Sequence, residues 1–428
     1  MRSTNEQMEI IYSGDNEIFV PALAGTGKTK TLTEYTKLHR RDKILCLFYN
    51  SSMKLSALNR FPERVDIFTY HGLAKQSFKD YKVSDIDLEE ISKICKITIK
   101  ESFQVNKLLT EFFNSDLELL NEINSPLVKY AEIVWIKMKN KELDITHDGY
   151  LKLYQLSKPD LSSYDIIMID EAQDLSAVMY DIVKDQSSVK IYVGDINQQI
   201  YGFRGSINIF NNIDTKYKLT QSFRFGKKIA DVANVVLKEN SSSELLKGSP
   251  EVDSEILFDS SMEDVQKTHI FRTNTELFKK AVEYINQGRE IYIIGAETIF
   301  ERLLNALNLY EGKDIINDKY MQTFDSFRTF KGVSTVVSEL KFMVKIVESF
   351  GPSLRDYIYK LKKMSKKNAE HIFVTAHKAK GLEFLYVKIE NDFMKIDIAS
   401  REELNLLYVA ITRASYYLEL NEDLKKYI

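Results

Sequence analysis

Residues 20–32, Val-Pro-Ala-Leu-Ala-Gly-Thr-Gly-Lys-Thr-Lys-Thr-Leu, form the stretch with the clearest capacity for chemistry. Residues 17–20 before it are mostly apolar and predict a strand, whereas residues 28–37 after it lack Pro and Gly and predict a helix. A turn between a strand and a helix directs backbone N–H groups and the positive end of the helix dipole toward an anion. The pattern indicates a phosphate site, although an ordinary tight turn before a helix is the alternative.

The residue types inside this turn suit a nucleotide triphosphate chain. Gly25 and Gly27 permit the backbone to approach phosphate oxygens closely. Lys28 can reach the β- and γ-phosphates, and the hydroxyl of Thr29 can ligate Mg²⁺. The strict pattern begins with Gly, where this chain has Ala22. We expect Ala22 to serve there provided that its φ stays negative.

Two adjacent carboxylates, Asp170 and Glu171, end a predicted strand over residues 164–171. Open α/β sheets bind ligands at the carboxyl ends of their strands. Asp170 is therefore placed to hold Mg²⁺, directly or through water, and Glu171 to orient or deprotonate an attacking water. A strand followed by Asp-Glu is common by itself, so this inference depends on its pairing with residues 22–29.

The turn over residues 194–205, after a predicted strand over 189–194, is rich in amide, aromatic and basic side chains. Gln198 could sense a γ-phosphate. Tyr201 or Phe203 could offer a ring face to a nucleobase, a stacking contact worth about 1–3 kcal/mol per base. The alternative, that these rings pack under the edge of the sheet, is also open.

Gln7 has two interpretations. Thr4 could cap a short helix with Gln7 in its third position, as in a capping box. Alternatively, the Gln7 amide could be presented to the edge of a purine.

The composition is ordinary for a globular protein of several domains. The chain has 428 residues, of which 44% are hydrophobic and 28% charged. The net charge of −3 neither supports nor excludes a nucleic-acid partner, since a local basic groove would suffice. Cys46 and Cys95 lie in apolar or helical stretches, which suits a reducing compartment. Because no signal region, membrane-length apolar run or cluster of metal ligands is visible, we expect a soluble cytoplasmic protein.

Apolar runs and helical periodicity divide the chain into two α/β halves. Residues 76–160 lack strand-like runs and predict a helical insertion with Trp135 in its core. A second half begins near residue 216 and contains a polar surface loop over 238–262. The other predicted elements are strands over residues 43–49, 65–69, 269–272, 291–294, 372–375 and 385–389, helices over 229–237, 298–309 and 402–414, and a helical insertion over 311–365.

Together these segments resemble the superfamily 1A DNA helicases, the group of UvrD, PcrA and Rep, and especially the motor part of the F-box DNA helicases. The resemblance runs from Gln7 to Arg413, with its motifs in the order of that family. The motifs that carry it are residues 24–29, 170–174, 194–205, 375–384 and 408–414.

The resemblance implies an α/β fold of two RecA-like P-loop NTPase domains, each a parallel sheet flanked by helices, with two mostly helical insertions. ATP and Mg²⁺ would bind in the cleft between the two domains. The implied segments are 1–75 and 161–215 for the first RecA-like domain (1A), 76–160 for its insertion (1B), 216–310 and 366–428 for the second (2A), and 311–365 for its insertion (2B).

The resemblance also implies the residues of the nucleotide site. Gln7 would read adenine, and Phe223 would stack on it with help from Lys30. The phosphates and Mg²⁺ would be held by Ala24, Gly25, Thr26, Gly27, Lys28 and Thr29, with Asp170 and Glu171 as the metal and water residues.

Further implied residues act from outside that turn. Gln198 would couple the γ-phosphate to the DNA groove, and Glu383 would contact the ribose. Arg224 and Arg413 would reach the γ-phosphate, which suits a planar and permanently charged side chain. Arg413 could instead cap a helix or lie at the surface.

For DNA, the resemblance implies stacking aromatic residues and contacts to phosphate or sugar. The family often has Trp where Phe203 stands, so we expect weaker stacking there. His71 could equally be a structural histidine. The implied DNA-binding residues are Tyr49, Thr69, His71, Tyr201, Phe203 and His377.

The resemblance predicts an ATP-dependent 3′–5′ DNA helicase that moves on single-stranded DNA and unwinds duplex. The short insertion over residues 311–365 favours a translocase that strips proteins with little unwinding, and a nucleotide-switched DNA-binding module is a further alternative. The expected partners are single-stranded DNA and its junctions with duplex, and replication or recombination proteins. One chain supplies both halves of the implied ATP site, so a monomer can be complete, and a bacterial or phage origin would suit these expectations.

Overall fold

A computed structural model describes residues 3–202, 205–210, 215–258, 265–314, 318–335 and 337–428, with only the backbone of residues 319, 338 and 339. The chain forms two compact units. Unit 1 comprises Met1–Phe223 with Glu244–Lys247, and unit 2 comprises Arg224–Ser243 with Gly248–Ile428.

Unit 1 contains a five-stranded parallel sheet in the order β1-β5-β4-β2-β3. Its strands are β1 (Glu17–Pro21), β2 (Ile44–Phe48), β3 (Val65–Thr69), β4 (Ile166–Asp170) and β5 (Val189–Gly194). These confirm the strands predicted from the apolar runs of this half. Because all five run in parallel, the turns that carry the predicted site residues follow the same edge of the sheet.

Strands β2 and β4 of unit 1 are buried along their whole length. In β2, Ile44, Cys46 and Phe48 face one apolar core, whereas Leu45 and Leu47 face another. Such double burial explains why these strands read as continuous apolar runs.

The helices of unit 1 include the predicted insertion. They are α1 (Asn5–Ile11), α2 (Lys28–Leu38), α3 (Ser51–Leu58), α4 (Tyr70–Ser77), α5 (Leu88–Cys95), α6 (Ile99–Asn114), α7 (Val128–Lys139), α8 (His147–Leu156) and α9 (Ala177–Lys184). Trp135 is buried against Phe112 and Phe113, with ring centroids 6.0 and 5.1 Å away, as predicted for a core residue. A capping box between Thr98 and Glu101 begins α6.

Unit 2 contains a six-stranded parallel sheet in the order β6-β11-β10-β7-β9-β8. Its strands are β6 (Glu255–Leu257), β7 (Lys267–Phe271), β8 (Ile291–Ile293), β9 (His371–Thr375), β10 (Phe384–Ile389) and β11 (Ala414–Glu419). The two parallel sheets with flanking helices confirm the predicted α/β fold class.

The helices of unit 2 confirm the helical character of the second insertion. They are α10 (Lys227–Glu239), α11 (Asn274–Asn286), α12 (Ala296–Glu311), α13 (Lys319–Gln322), α14 (Phe327–Ser334), α15 (Ser338–Phe350), α16 (Leu354–Met364), α17 (Ala376–Ala379) and α18 (Arg401–Ile411). In the described part of the chain, no helix combines the length and the apolar character that crossing a bilayer requires.

Two predictions in unit 2 were wrong, one about a loop and one about the end of a helix. The loop over residues 238–262 contains β6, which pairs with β11 and is too short to show a periodic pattern. The helix over 402–414 ends at Ile411, and Ala414 already begins β11. No Gly or Pro marks this end in the sequence, and the Thr412 hydroxyl donates to the carbonyl of Tyr408 over 2.8 Å, a contact that is also common inside helices.

Candidate nucleotide site

The turn after β1 has the backbone that the glycine pattern requires. Gly25 and Gly27 have φ of 73° and 80°, a region that other residues rarely adopt. A Cβ at Gly27 would lie 3.0 Å from Gln7 Nε2 and 3.6 Å from the Phe223 ring. The left-handed backbone therefore favours glycine at position 27, immediately before the first residue of α2, and a side chain there would press on Gln7.

The departure at Ala22 is accommodated. Among the described residues, the non-glycine residues with positive φ do not include Ala22. Its N–H donates to the carbonyl of Gly194 over 2.8 Å, which joins the turn to β5. Further along the turn, Ala24 is buried and the Thr26 hydroxyl donates to the carbonyl of Leu23 over 2.8 Å.

Lys28 and Thr29 meet the two predicted carboxylates. Lys28 Nζ lies 3.1 Å from Glu171 Oε2, and Thr29 Oγ1 donates to Asp170 Oδ2 over 2.7 Å. The N–H of Glu171 donates to Asp170 Oδ1 over 2.9 Å. Residues about 140 positions apart are thus assembled within unit 1, as the two motifs predicted.

The electrostatics of this cluster are strongly coupled. Burial lowers the pKa of Lys28, but the charges of Glu171, Asp195 and Asp170 outweigh that effect, so the pKa is raised. Burial and the neighbouring Glu171 raise the pKa of Asp170 to about 6, against Lys28 and Thr29, which lower it. A cation beside Asp170 would favour its ionised form.

The donor set fits Mg²⁺. A carboxylate oxygen of Asp170 and the hydroxyl oxygen of Thr29 lie 2.7 Å apart, and both are hard oxygen ligands. In the described residues no group of three or more His, Cys, Asp or Glu side chains could hold a metal by itself. Such a sparse site suits Mg²⁺, which keeps waters and binds substrate phosphates beside one or two protein ligands.

Glu171 is held in place by Gln173, which in turn contacts Asp195. Both residues lie within predicted motifs, but no role was predicted for either of them. Glu171 has a φ of 56°, a left-handed conformation that is uncommon outside glycine. Gln173 Nε2 donates to Glu171 Oε2 over 2.6 Å, and Gln173 Oε1 accepts from the N–H of Asp195 over 2.8 Å. Asp195 Oδ2 in turn accepts from Gln198 Nε2 over 2.7 Å.

This chain of contacts links Glu171 to the turn after β5. A Cβ at Gly194 would lie 2.5 Å from Gln173 Oε1, so glycine allows the close approach. The roles of Gln173 and Asp195 were not predicted because their partners are far away in the sequence and close only in the folded structure. The available signal was their position within two motifs already singled out.

Gln7 caps the first helix and also contacts the glycine turn. The capping box with Thr4 is confirmed, and Gln7 Nε2 also donates to the carbonyl of Thr26 over 3.3 Å. The N–H of Phe223 donates to the carbonyl of Gly25 over 2.8 Å, and Lys30 Nζ lies 5.7 Å from the centre of the Phe223 ring. The residues predicted for adenine thus surround the phosphate turn; purine recognition by Gln7 stays a prediction.

Three residues predicted for the nucleotide meet in unit 2. Arg224 Nη2 lies 2.6 Å from Glu383 Oε1, and Arg224 Nη1 donates to the carbonyl of Thr412 over 2.7 Å. Arg413 is buried, and its Nε donates to the carbonyl of Val409 over 2.9 Å. Arg413 Nη2 reaches the hydroxyl of Thr412 over 3.1 Å. The alternative of a surface position for Arg413 is excluded.

The residues predicted to stack on DNA partly come together. The rings of Tyr49 and Tyr201 are stacked, with centroids 5.9 Å apart and planes 13° from parallel. Tyr49 follows β2 and Tyr201 follows β5. Phe203 lies outside the described residues.

The predicted polar DNA contacts have partners within the protein. The Thr69 hydroxyl accepts from the N–H of Gly72 over 2.9 Å and begins α4. His71 Nε2 lies 3.0 Å from Asp148 Oδ1. His377 is a partly buried residue of α17 in unit 2. Their contacts to DNA stay predictions, and His71 fits the structural interpretation as well.

A parallel sheet, a glycine turn leading into a helix, and a lysine facing two carboxylates define a P-loop NTPase domain. Residues 7–204 match the family model described as AAA domain, and residues 372–420 match the UvrD-like helicase C-terminal domain.

Comparison with individual proteins finds similarity to F-box DNA helicases. The chain is 31% identical to F-box DNA helicase 1 of Gallus gallus over 99% of this chain and 49% of that protein. It is 31% identical to F-box DNA helicase protein 1 of Schizosaccharomyces pombe over 99% and 58%, respectively. The chain therefore spans about half the length of these curated relatives. Among solved structures, an arterivirus nonstructural protein 10 (helicase) with DNA aligns with a TM-score of 0.37 at 10% identity, over 98% of this chain and 64% of that chain.

The domain matches and the relatives confirm the resemblance predicted from the motifs. Parts of the chain match an AAA domain and a UvrD-like helicase C-terminal domain, and nearly all of its length is similar to the F-box DNA helicases.

Proposed function

We propose that this protein is an ATP-driven 3′–5′ DNA helicase that moves on single-stranded DNA. The observation that carries the proposal is the pairing of Lys28 with Glu171 and of Thr29 with Asp170 after the parallel strands of unit 1. The similarity to DNA helicases over 99% of the chain supports DNA as the substrate. The 3′–5′ direction rests on the resemblance of the motif around residues 198–201 to that of the 3′–5′ group.

Hydrolysis would use the residues of unit 1 in separate roles. Lys28 would bind the β- and γ-phosphates, and Thr29 with Asp170 would hold Mg²⁺, which neutralises charge on the phosphates when bound. Glu171 would orient the attacking water and accept its proton. Contacts from Lys28 Nζ and Gln173 Nε2 to Glu171 Oε2 hold that carboxylate in place.

Residues of unit 2 would complete the reaction. We propose that Arg224 and Arg413 stabilise negative charge on the γ-phosphate and that Glu383 contacts the ribose. Because Glu383 and the carbonyl of Thr412 hold Arg224, its guanidinium would exchange these partners for phosphate when ATP binds. Gln198, bonded to Asp195, would pass the state of the nucleotide to the DNA-binding turn.

DNA would bind through aromatic stacking and contacts to its backbone. The stacked rings of Tyr49 and Tyr201 offer faces on which a base can lie. Thr69, His71 and His377 would contact phosphate or sugar, and Phe203 would add a further ring.

A second candidate is a translocase that removes proteins from DNA without efficient unwinding. The observation that favours it is the small size of the second insertion, residues 311–365. Its described helices are the short α13 and α14, followed by α15 and α16. Such a translocase would retain every ATPase residue.

Strand displacement on two partial duplexes, one with a 3′ tail and one with a 5′ tail, tests the proposal. We expect ATP-dependent unwinding of the 3′-tailed substrate alone. Unwinding from the 5′ tail would contradict the direction, and DNA-stimulated hydrolysis without displacement would favour the translocase. An ATPase rate unaffected by DNA would contradict both and favour a nucleotide-switched DNA-binding module.

The substitution Glu171→Gln supplies the catalytic test. Loss of the general base should lower DNA-stimulated ATP hydrolysis about 10²–10⁴-fold while ATP binding persists. The matched control is Glu34→Gln, which alters an exposed pair with Lys37 on α2. Equal activity of the Glu171→Gln variant and the control would reject Glu171 as the water residue.

A further inference from the structure

Glu6, in the first turn of α1, contacts a residue far away in the sequence through both of its carboxylate oxygens. Glu6 Oε2 accepts from the N–H of Thr220 over 2.8 Å, and Glu6 Oε1 accepts from the Thr220 hydroxyl over 2.6 Å. Thr220 is buried, and Glu6 is partly covered. None of the motifs predicted this contact. Hydrogen bonds to a carboxylate are among the stronger ones in proteins, so this pair joins α1 firmly to the segment that contains Thr220.

The segment over residues 219–223 lies along the glycine turn of the candidate nucleotide site. At its beginning, the N–H of Leu219 donates to the carbonyl of Pro21 over 3.0 Å. At its end, the N–H of Phe223 donates to the carbonyl of Gly25 over 2.8 Å. One edge of the segment therefore follows the chain from the end of β1 into the turn, and the segment carries the ring that is predicted to stack on adenine.

The other edge of the segment is held by two different partners. The carbonyl of Thr220 accepts from the N–H of Lys247 over 2.9 Å, and the N–H of Ser222 donates to the carbonyl of Lys247 over 2.8 Å. The N–H of Thr220 needs a partner of its own, because a buried backbone donor is nearly always hydrogen-bonded in a folded protein. A backbone carbonyl would satisfy it equally well. The chain instead uses a carboxylate from α1, the helix that carries Gln7.

Gln7 and Phe223, the two residues predicted for adenine, both lie next to Gly27. A Cβ at Gly27 would lie 3.0 Å from Gln7 Nε2 and 3.6 Å from the Phe223 ring. Glu6 directly precedes Gln7 in the sequence, and Thr220 lies shortly before Phe223. Their contact therefore fixes the Gln7 amide relative to the Phe223 ring. Because Thr220 engages both Glu6 oxygens, Glu6 would act through these neighbours and not by touching a nucleotide.

We propose that Glu6 is a positioning residue for the base of ATP. Its carboxylate holds α1 and the segment over residues 219–223 at the separation at which the Gln7 amide and the Phe223 ring bind a purine. A carboxylate bonded twice to one buried threonine is restricted in position, so the slot for the base is formed before the nucleotide binds. This inference rests on the proposed function, because it adds a determinant of base selection to the same ATP site.

The preference for ATP over UTP tests the proposal, because the two nucleotides share the ribose and the triphosphate and differ in the base. DNA-stimulated hydrolysis by the full chain gives kcat/KM for each nucleotide, and the ratio of the two values does not depend on the fraction of folded protein. Glu6→Ala should lower this ratio about five- to tenfold, the effect of one hydrogen bond, through a higher KM for ATP with kcat unchanged. Glu9→Ala, at an exposed position of the same helix, should retain the ratio of the unmodified chain.

Thr220→Val keeps the test valid if Glu6→Ala folds poorly, because it removes the hydroxyl donor and leaves the N–H in place. It should lower the ratio by a smaller factor, and it should have no further effect in the Glu6→Ala background. An unchanged ratio in the Glu6→Ala variant, an equal fall in Glu9→Ala, or no preference for ATP in the unmodified chain would overturn the proposal. Failure of the proposed function would be distinct, because neither nucleotide would then be hydrolysed in response to DNA.

Discussion

At the residue scale, two hydroxyl groups on one helix have different environments. The Thr29 hydroxyl donates to the buried carboxylate of Asp170, whereas the Thr33 hydroxyl, one turn later, donates to the backbone carbonyl of Thr29 over 2.8 Å. Both side chains are β-branched and lie in α2, so they permit a matched comparison of a proposed metal ligand with a structural hydroxyl.

Thr29→Val should raise the Mg²⁺ concentration needed for half-maximal ATP hydrolysis by on the order of tenfold. Valine retains the shape of the side chain but removes an oxygen that would ligate the ion and that orients Asp170. Titration of hydrolysis with Mg²⁺ checks this expectation. Thr33→Val should leave the Mg²⁺ dependence unchanged, and an equal shift in both variants would contradict the assignment.

At the scale of elements, the glycine turn between β1 and α2 depends on its backbone as much as on its side chains. Gly27 combines a positive φ with a close approach to Gln7 and Phe223. A Cβ added at Gly14, before β1, would have no heavy atom within 4 Å. Gly14 is also not among the described glycines with a positive φ.

Gly27→Ala should lower the free energy of unfolding by about 1–2 kcal/mol and weaken ATP binding. The left-handed backbone costs that amount for alanine, and the new Cβ would press on the Gln7 amide. Urea unfolding and nucleotide titration measure the two effects. Gly14→Ala should change stability by less than about 0.5 kcal/mol; a comparable loss there would show that the effect is not specific to the turn.

The elements of this turn were predictable because their signals are local. Strand β1, the glycine pattern and α2 follow one another within 22 residues, and each is visible in residue type or period. Strands β6 and β11 were missed because a three-residue strand has no period and because α18 runs into β11 without Gly or Pro. Both strands form because they pair with strands that are distant in the sequence, and such pairing leaves no local pattern.

At the scale of the whole molecule, the sheet of unit 2 contains a buried network of ionisable groups. His269 Nε2 lies 3.1 Å from His371 Nδ1, and His269 Nδ1 lies 2.6 Å from Glu390 Oε1. Burial lowers the pKa of His371 to about 4, with further contributions from His269, Arg289, Lys267 and Lys388. Burial also lowers the pKa of His269, although Glu390 opposes that shift.

The shift of His371 predicts that its contribution to stability is lost as the pH drops from about 6.5 toward 4, whereas the raised pKa of Asp170 acts in the opposite direction. In that window unfolded His371 binds a proton and folded His371 does not, so protons favour the unfolded chain. The loss should be about 1–2 kcal/mol, since His371 is only half-buried. Urea unfolding at pH 7 and pH 5, followed by circular dichroism, measures it.

His371→Gln should reduce this pH dependence because it removes the titrating ring. His39→Gln, in unit 1, serves as the control and should retain the dependence of the unmodified chain. If His371→Gln and His39→Gln give the same slope of stability against pH, the network of unit 2 is not its source.

The sequence by itself determined the residue types of the candidate nucleotide site and the strands of unit 1. Lys28 and Thr29 lie in a compact motif, and Asp170 and Glu171 end an apolar run, so residue type and short-range order were sufficient. Only the tertiary structure decided which side chains hold that site together. Gln173 joins Glu171 to Asp195 through contacts that bring separate strands together.

The same holds for unit 2. The contact of Arg224 with Glu383 and Thr412 joins residues more than 100 positions apart. The spacing of such residues along the chain carries no record of their distance in space. Their proximity follows from strand order and helix packing, which are set by the burial of the whole core and not by any local pattern.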